Sequence, residues 1–208
     1  MLAVFEEIKK GNIKLDTNIL VKKEDILCDT KIFKNKEQYY SLEELVNWMI
    51  TYSDNTATNV IIKNFGMDKI NNYIKDVLKL KSTYLNRYML DYKAIEEGLN
   101  NYTSQEDMLN TFEKLFHKEI LTCNLCNKAI EILYNQHIQN QIVKYINPNV
   151  KYAHKTGTLD YLNHDVGVMD INDKFFYIGI SVYNSESKDG NKELVANLGK
   201  VIYDNLKK

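Results

Sequence analysis

A chain of 208 residues, 44% hydrophobic and 26% charged, can bury a substantial core and has the composition of an ordinary globular protein. With 27 basic and 28 acidic residues the formal charge is −1, which excludes a global basic field for nucleic acid, and Arg87 is the only arginine, which argues against a phosphate-reading surface. No apolar run approaches the ~18 residues of a membrane span, and no basic n-region or h-region marks a signal peptide, so a small molecule or a protein is the expected partner.

The first residues, Leu2 to Gly11, place apolar groups at helical spacing and end in a terminating glycine, but no capping residue precedes Leu2. Ser41 with Glu44 forms a capping-box pattern before the apolar stripe Leu45, Trp48, Met49, which runs to Tyr52. A second helix is predicted from about Asn55 to Phe65, stopping at Gly66. Thr103 or Ser104 with Asp107 opens another through Phe116, and a further helix covers Asn124 to Tyr134.

After Pro148, the only proline, the pattern becomes strand-like over Val150 to Thr156, Leu162 to Ile171 and Phe175 to Tyr183, with Asn172-Asp173 as a hairpin turn. Lys192 to Leu206 returns to helical spacing. Together these predict an α+β fold: one domain over residues 1–208, with a mostly helical lobe at 1–147 and a three-stranded antiparallel sheet plus C-terminal helix at 148–208. Cys123-Asn124-Leu125-Cys126 has metal or redox spacing, but no second Cys/His pair accompanies it. With Cys28 the count is odd, so the cysteines read as ordinary thiols and no metal is expected.

Two segments carry candidate chemistry. Lys155-Thr156-Gly157-Thr158 lies in a predicted strand, where a glycine adds no packing but admits a ligand backbone, and a lysine and two hydroxyls beside it make an anion-binding edge. Ser53-Asp54-Asn55 falls at the junction of two predicted helices. All three residue types favour helix N-caps, and capping is compatible with chemistry.

The two motifs, in this order and on these elements, resemble the Ser-Asp-Asn and Lys-Thr-Gly elements of the class A serine β-lactamases and penicillin-binding proteins, and Asn163-His164-Asp165-Val166-Gly167 is similar to the stretch that follows. The resemblance implies that Ser53 relays a proton to the leaving nitrogen and Lys155 supplies positive potential beside it. Asn55 would hold the substrate amide, while Thr156, Gly157 and Thr158 line the carboxylate and oxyanion side. His164 reads as structural. No cofactor is implied.

The chain also departs from the family pattern. The helix from Met1 to Gly11 is similar to the one that carries a Ser-x-x-Lys nucleophile in its first turn, and the resemblance implies that this pair lies within about two turns before Met1, together with the first strands of the sheet. Ser185-Glu186-Ser187-Lys188 and Thr111-Phe112-Glu113-Lys114 match the spacing but sit in a polar stretch and in mid-helix. Met89 stands two residues after Arg87, where the family has its deacylating glutamate, with Asp91, Glu96 and Glu97 as nearby carboxylates, and Asn101 replaces the aspartate that pairs with the arginine.

The expectation is thus a β-lactamase-family serine hydrolase acting on a β-lactam or peptidoglycan-type amide, shortened and inert as given. The alternatives are a binding or assembly module of the same fold, a penicillin-binding protein of the DD-peptidase kind or, lower, a serine glutaminase. By resemblance it acts outside the cytoplasmic membrane, and an exposed sheet edge could pair with a second copy.

Overall fold

The computed structural model describes residues 1–183 and 188–208, so Ser185 to Ser187 of the Ser-x-x-Lys spacing lie outside the described residues. Helix α1 (Leu2–Lys9) buries Val4 and Phe5 and stops at Gly11, whose φ of 77° is the left-handed terminator its sequence predicts. A two-stranded ribbon follows that the sequence pattern did not reveal. In it, β1 (Asn18–Val21) pairs antiparallel with β2 (Gln38–Ser41), each strand being too short for alternation to stand out.

Ser41 ends the ribbon and starts helix α2 (Leu42–Thr51) by the expected capping box: its Oγ accepts the Glu44 N–H at 3.2 Å, and Glu44 Oε2 accepts the Ser41 N–H at 2.8 Å. Helix α3 (Asn55–Phe65) ends at Gly66, at φ 83°. Beyond it, α4 (Met67–Asn72) runs into a π-helical turn (Tyr73–Leu78), and α5 (Tyr92–Glu96) is a single short turn. Helices α6 (Gln105–Phe116) and α7 (Cys123–Tyr134) are capped by Ser104 and Thr122, while Cys123 faces solvent and Cys126 the core as free thiols.

A 3₁₀ turn (Ile142–Tyr145) leads into β3 (Lys151–Thr158), β4 (Leu162–Ile171) and β5 (Lys174–Tyr183), an antiparallel sheet in that order. Asn172 and Asp173, at φ 53° and 62°, make the two-residue turn between β4 and β5, as the sequence suggested. Helix α8 (Lys188–Leu206) covers one sheet face, starting earlier than its apolar spacing indicates. The other face, through Ala153, Val166 and Val168, joins the main core with Phe5, Leu45, Leu115 and Ile132, whereas Tyr152, Met169 and Ile178 pack with Val195 of α8. The fold is the expected α+β arrangement, with helices on both sides of the sheet.

Asp107 ties α6 to the segment before the loop at 85–101. Its buried carboxylate accepts the Ser82 N–H at 2.7 Å, the Lys81 N–H at 3.2 Å and the Thr83 hydroxyl at 2.7 Å. Burial alone raises this carboxyl's pKa, but the Thr83, Ser82 and Lys81 donors outweigh it and hold it below the ordinary value. A group so depressed contributes stability that is complete above its unfolded pKa and is lost as pH falls through the folded one. Asp107→Asn should therefore lower unfolding stability by about 1–3 kcal/mol near neutrality. In urea titrations it should also remove part of the wild type's loss of stability below about pH 4.

Candidate active site

The α2–α3 junction is built by backbone bonds that leave one side chain free. Tyr52 and Asp54 both donate their N–H to the Trp48 carbonyl at 3.2 Å, which folds the chain back on α2 and drives Ser53 between them to φ 55°. A non-glycine residue in the left-handed region costs about 1–2 kcal/mol, sustained here because both neighbours are pinned. Asp54 does the capping: Oδ1 accepts the Ala57 N–H at 2.8 Å, and Oδ2 accepts the Thr30 hydroxyl at 2.6 Å. Ser53 therefore keeps its hydroxyl for another partner, and Asn55 Nδ2, two residues on, donates to Asp29 Oδ2 at 2.7 Å.

That partner is Lys155. Alternation along β3 turns Lys155 and Gly157 toward the helices and His154 and Thr156 toward α8. Lys155 Nζ donates to Ser53 Oγ at 2.8 Å and to the Thr156 carbonyl at 2.7 Å. Burial strips water from the ammonium and lowers its pKa to about 8, with the Asp165 carboxylate opposing the fall. Thr158 is exposed at the strand end, but Thr156 is only 4% exposed, so its side chain is closed off rather than presented to the cleft.

Gly157 is needed for a reason the sequence did not disclose. A Cβ built there falls 2.0 Å from His164 Nε2, so the space the sequence reading gave to a ligand backbone is taken, on the Cβ side, by this imidazole. His164 sits directly across the sheet on β4, and its pKa is lowered by burial and then by the Lys155 charge. A cavity of about 530 Å³ opens beside it, lined also by Arg87, Tyr102, Leu159, Tyr161 and Tyr183. A larger hollow of about 880 Å³, between Tyr134, Pro148 and Tyr152, contains none of the motif residues.

The loop carrying Arg87 is held to α3 by Asn59, to which the sequence assigns no role. Its Oδ1 accepts the Met89 N–H at 2.7 Å, and its Nδ2 donates to the Met89 carbonyl at 3.0 Å. The residue so presented is a methionine, not a carboxylate. Asp91 is occupied in capping α5 through the Ala94 N–H at 3.1 Å, and Glu96 and Glu97 are exposed. Asn101 braces the neck of the loop by accepting the Asn86 and Arg87 N–H groups at 2.8 and 3.0 Å and donating to the Arg87 carbonyl at 3.1 Å. The Arg87 guanidinium meets the Tyr88 carbonyl and Asn100 Oδ1.

Residues 1–206 match the model of a family described as the beta-lactamase enzyme family. The chain belongs to this family. A β-lactamase of Bacteroides uniformis is 24% identical over 99% of this chain and 75% of its own length, and the β-lactamase VEB-1 of Pseudomonas aeruginosa is 24% identical over 98% and 73%. Among solved structures, the TLA-1 extended-spectrum β-lactamase has a TM-score of 0.89 at 23% identity, covering all of this chain and 81% of that one. PBP-A scores 0.87, also at 23% identity, over 99% and 77%. The expected family and fold are thus the ones found.

The geometry sets two measurable outcomes. Lys155 should titrate near pH 8 by ¹³Cε NMR. Because its folded pKa lies below the unfolded one, unfolded chains bind the extra proton between about pH 8 and 10.4, so wild-type stability should rise with pH across that window relative to Lys155→Met. Gly157→Ala should displace His164 and lower the thermal midpoint, with the largest amide shift changes at residues 155–158 and 163–165.

Proposed function

We propose that the cleft between the α2–α3 junction and β3 is the substrate site of a serine hydrolase that acts on β-lactams or related peptidoglycan amides through an acyl-enzyme. The observation that carries this reading is the 2.8 Å hydrogen bond from Lys155 Nζ to Ser53 Oγ, between residues 102 positions apart. An ammonium donating to the hydroxyl oxygen leaves the Ser53 proton free to point at a leaving nitrogen, and a lysine with a pKa of about 8 can resupply it near neutrality. Asn55 faces the substrate amide, and Gly157 and Thr158 offer the strand edge to a carboxylate, with Thr156 set behind it. The reading is supported by the family match and by the PBP-A variant whose structure is an acyl-enzyme complex with penicillin G.

The nucleophile of such a reaction has no candidate within α1, whose residues Leu2–Lys9 contain no hydroxyl or thiol. Thr111 and Lys114, which have the right spacing, are engaged on α6: the hydroxyl donates to the Asp107 carbonyl and the ammonium to the Leu78 carbonyl. The lack of a free hydroxyl in α1 and at Thr111, among the described residues, supports reading the cleft as one that binds without hydrolysing. A second reading, a penicillin-binding protein that keeps its acyl group, is favoured by Met89, because the Asn59-held position offers no carboxylate to activate water. Either reading places the protein outside the cytoplasmic membrane, where peptidoglycan lies. Among the described residues no helix is long and apolar enough to cross a membrane. An exposed sheet edge that pairs with a second copy would show as a doubled mass in native mass spectrometry.

Nitrocefin hydrolysis by this polypeptide should not exceed the buffer rate, since loss of a serine-hydrolase nucleophile costs on the order of a millionfold. Benzylpenicillin should instead shift the amides around Ser53, Asn55 and Thr158 saturably, with no mass increase of the protein, and Lys155→Met should weaken that binding. Turnover at an enzymatic rate, or a stable covalent adduct, would displace the non-hydrolytic reading in favour of a lactamase or a penicillin-binding protein respectively. Absence of any shift would remove the β-lactam reading.

A further inference from the structure

The segment from Asp25 to Thr30 runs along α3 and is fastened to it at four points. Lys63 Nζ meets Asp25 Oδ1 at 2.7 Å, and the Leu27 N–H donates to Thr56 Oγ1 at 2.9 Å. Asn55 Nδ2 donates to Asp29 Oδ2 at 2.7 Å, and the Thr30 hydroxyl donates to Asp54 Oδ2 at 2.6 Å. Thr56 and Asp54 are buried, so the bonds that flank Asp29 are anchored in the core, whereas Asp29 itself is exposed. Its carboxylate is therefore set against Asn55 by the pinned chain on both sides of it, and not by its own contact alone.

That placement orients the Asn55 amide. A carboxylate can only accept, so the Asn55 NH₂ must turn to Asp29, and one of its two N–H groups is left for a further acceptor. A substrate carbonyl held by Asn55 would take that second N–H, which puts the substituents next to the carbonyl in the neighbourhood of Asp29.

Asp29 also brings charge. The other carboxylates of this wall are answered within the protein: Asp25 is paired with Lys63, and Asp54 gives its oxygens to the Ala57 N–H and the Thr30 hydroxyl. Asp29 forms no ion pair among the described residues, and Asn55 engages only one of its two oxygens. A charged substrate group beside the amide thus meets a negative charge with an unused acceptor, which attracts a cation and repels an anion.

We propose that Asp29 is a specificity-determining residue of the cleft: a fixed carboxylate at the amide end that favours substrates bearing an ammonium beside the side-chain amide and disfavours those bearing a carboxylate there. This rests on the reading of Asn55 as the residue that meets the substrate amide, and it names the substrate class within that reading.

The test uses the full chain and three penicillins with one skeleton that differ only at the carbon next to the side-chain carbonyl. Ampicillin carries an ammonium there, benzylpenicillin hydrogen and carbenicillin a carboxylate. Each is titrated at low salt and about pH 6.5, where the probes' ammonium and carboxylate are both charged, and binding is followed by the amide shifts of residues 53–56. Wild type should bind them in the order ampicillin, benzylpenicillin, carbenicillin, with about fivefold between neighbours, the effect of one unit charge on another about 4 Å away across water. Asp29→Asn keeps an acceptor for the Asn55 amide and removes only the charge, so it should bring the three affinities together. Equal affinities in wild type, or the same order kept in Asp29→Asn, would overturn the proposal while the β-lactam reading stands. Saturable binding by none of the three removes both.

Discussion

One hydrogen bond joins the helices to the sheet at the point where both motifs meet, the donation from Lys155 Nζ to Ser53 Oγ. It depends on everything around it. The ammonium reaches the serine only because β3 turns Lys155 toward the helices, and the serine is available only because Asp54 has taken over the cap of α3. The division of labour within Ser53-Asp54-Asn55 is therefore physical: one residue terminates a helix, its neighbour accepts backbone strain, and the strain aims a hydroxyl across the gap.

Polar groups are dense on both faces of the same strands. On the cleft face Lys155 bonds Ser53 and the Thr156 carbonyl, and on the α8 face the buried Asp165 carboxyl meets His154 Nδ1 and accepts the Ile142 N–H. Gly157 and His164 extend the arrangement by packing backbone against ring where any Cβ would collide.

Much of this was legible in the sequence where the signal is local. The Ser41 capping box, Gly66, the Asn172-Asp173 turn and the alternation of β4 and β5 each state their geometry within a few residues, and each is found where it was expected. The β1–β2 ribbon, the π-helical turn and α5 were not legible, because four to six residues carry too little periodicity. At the site, residue types announced Ser53 and Lys155, but not the left-handed backbone at Ser53 or the burial of Thr156. Asn59 was invisible for a different reason. A polar residue on a helix looks like a solvated face, and its two bonds to Met89 lie 30 positions away.

The neck of the Arg87 loop is closed by an amide, Asn101, that meets the main chain of Asn86 and Arg87 across it. An amide neither titrates nor gathers counter-ions, so this closure is indifferent to ionic strength and to acid, where a carboxylate–guanidinium latch would loosen in both. The loop's hold on α3 is neutral in the same way, since Asn59 also binds only main chain. The hold of Asn59 and the closure by Asn101 are thus set by hydrogen-bond geometry, whereas the Arg87 guanidinium and the Asp107 carboxylate bring charge to the same side of the molecule.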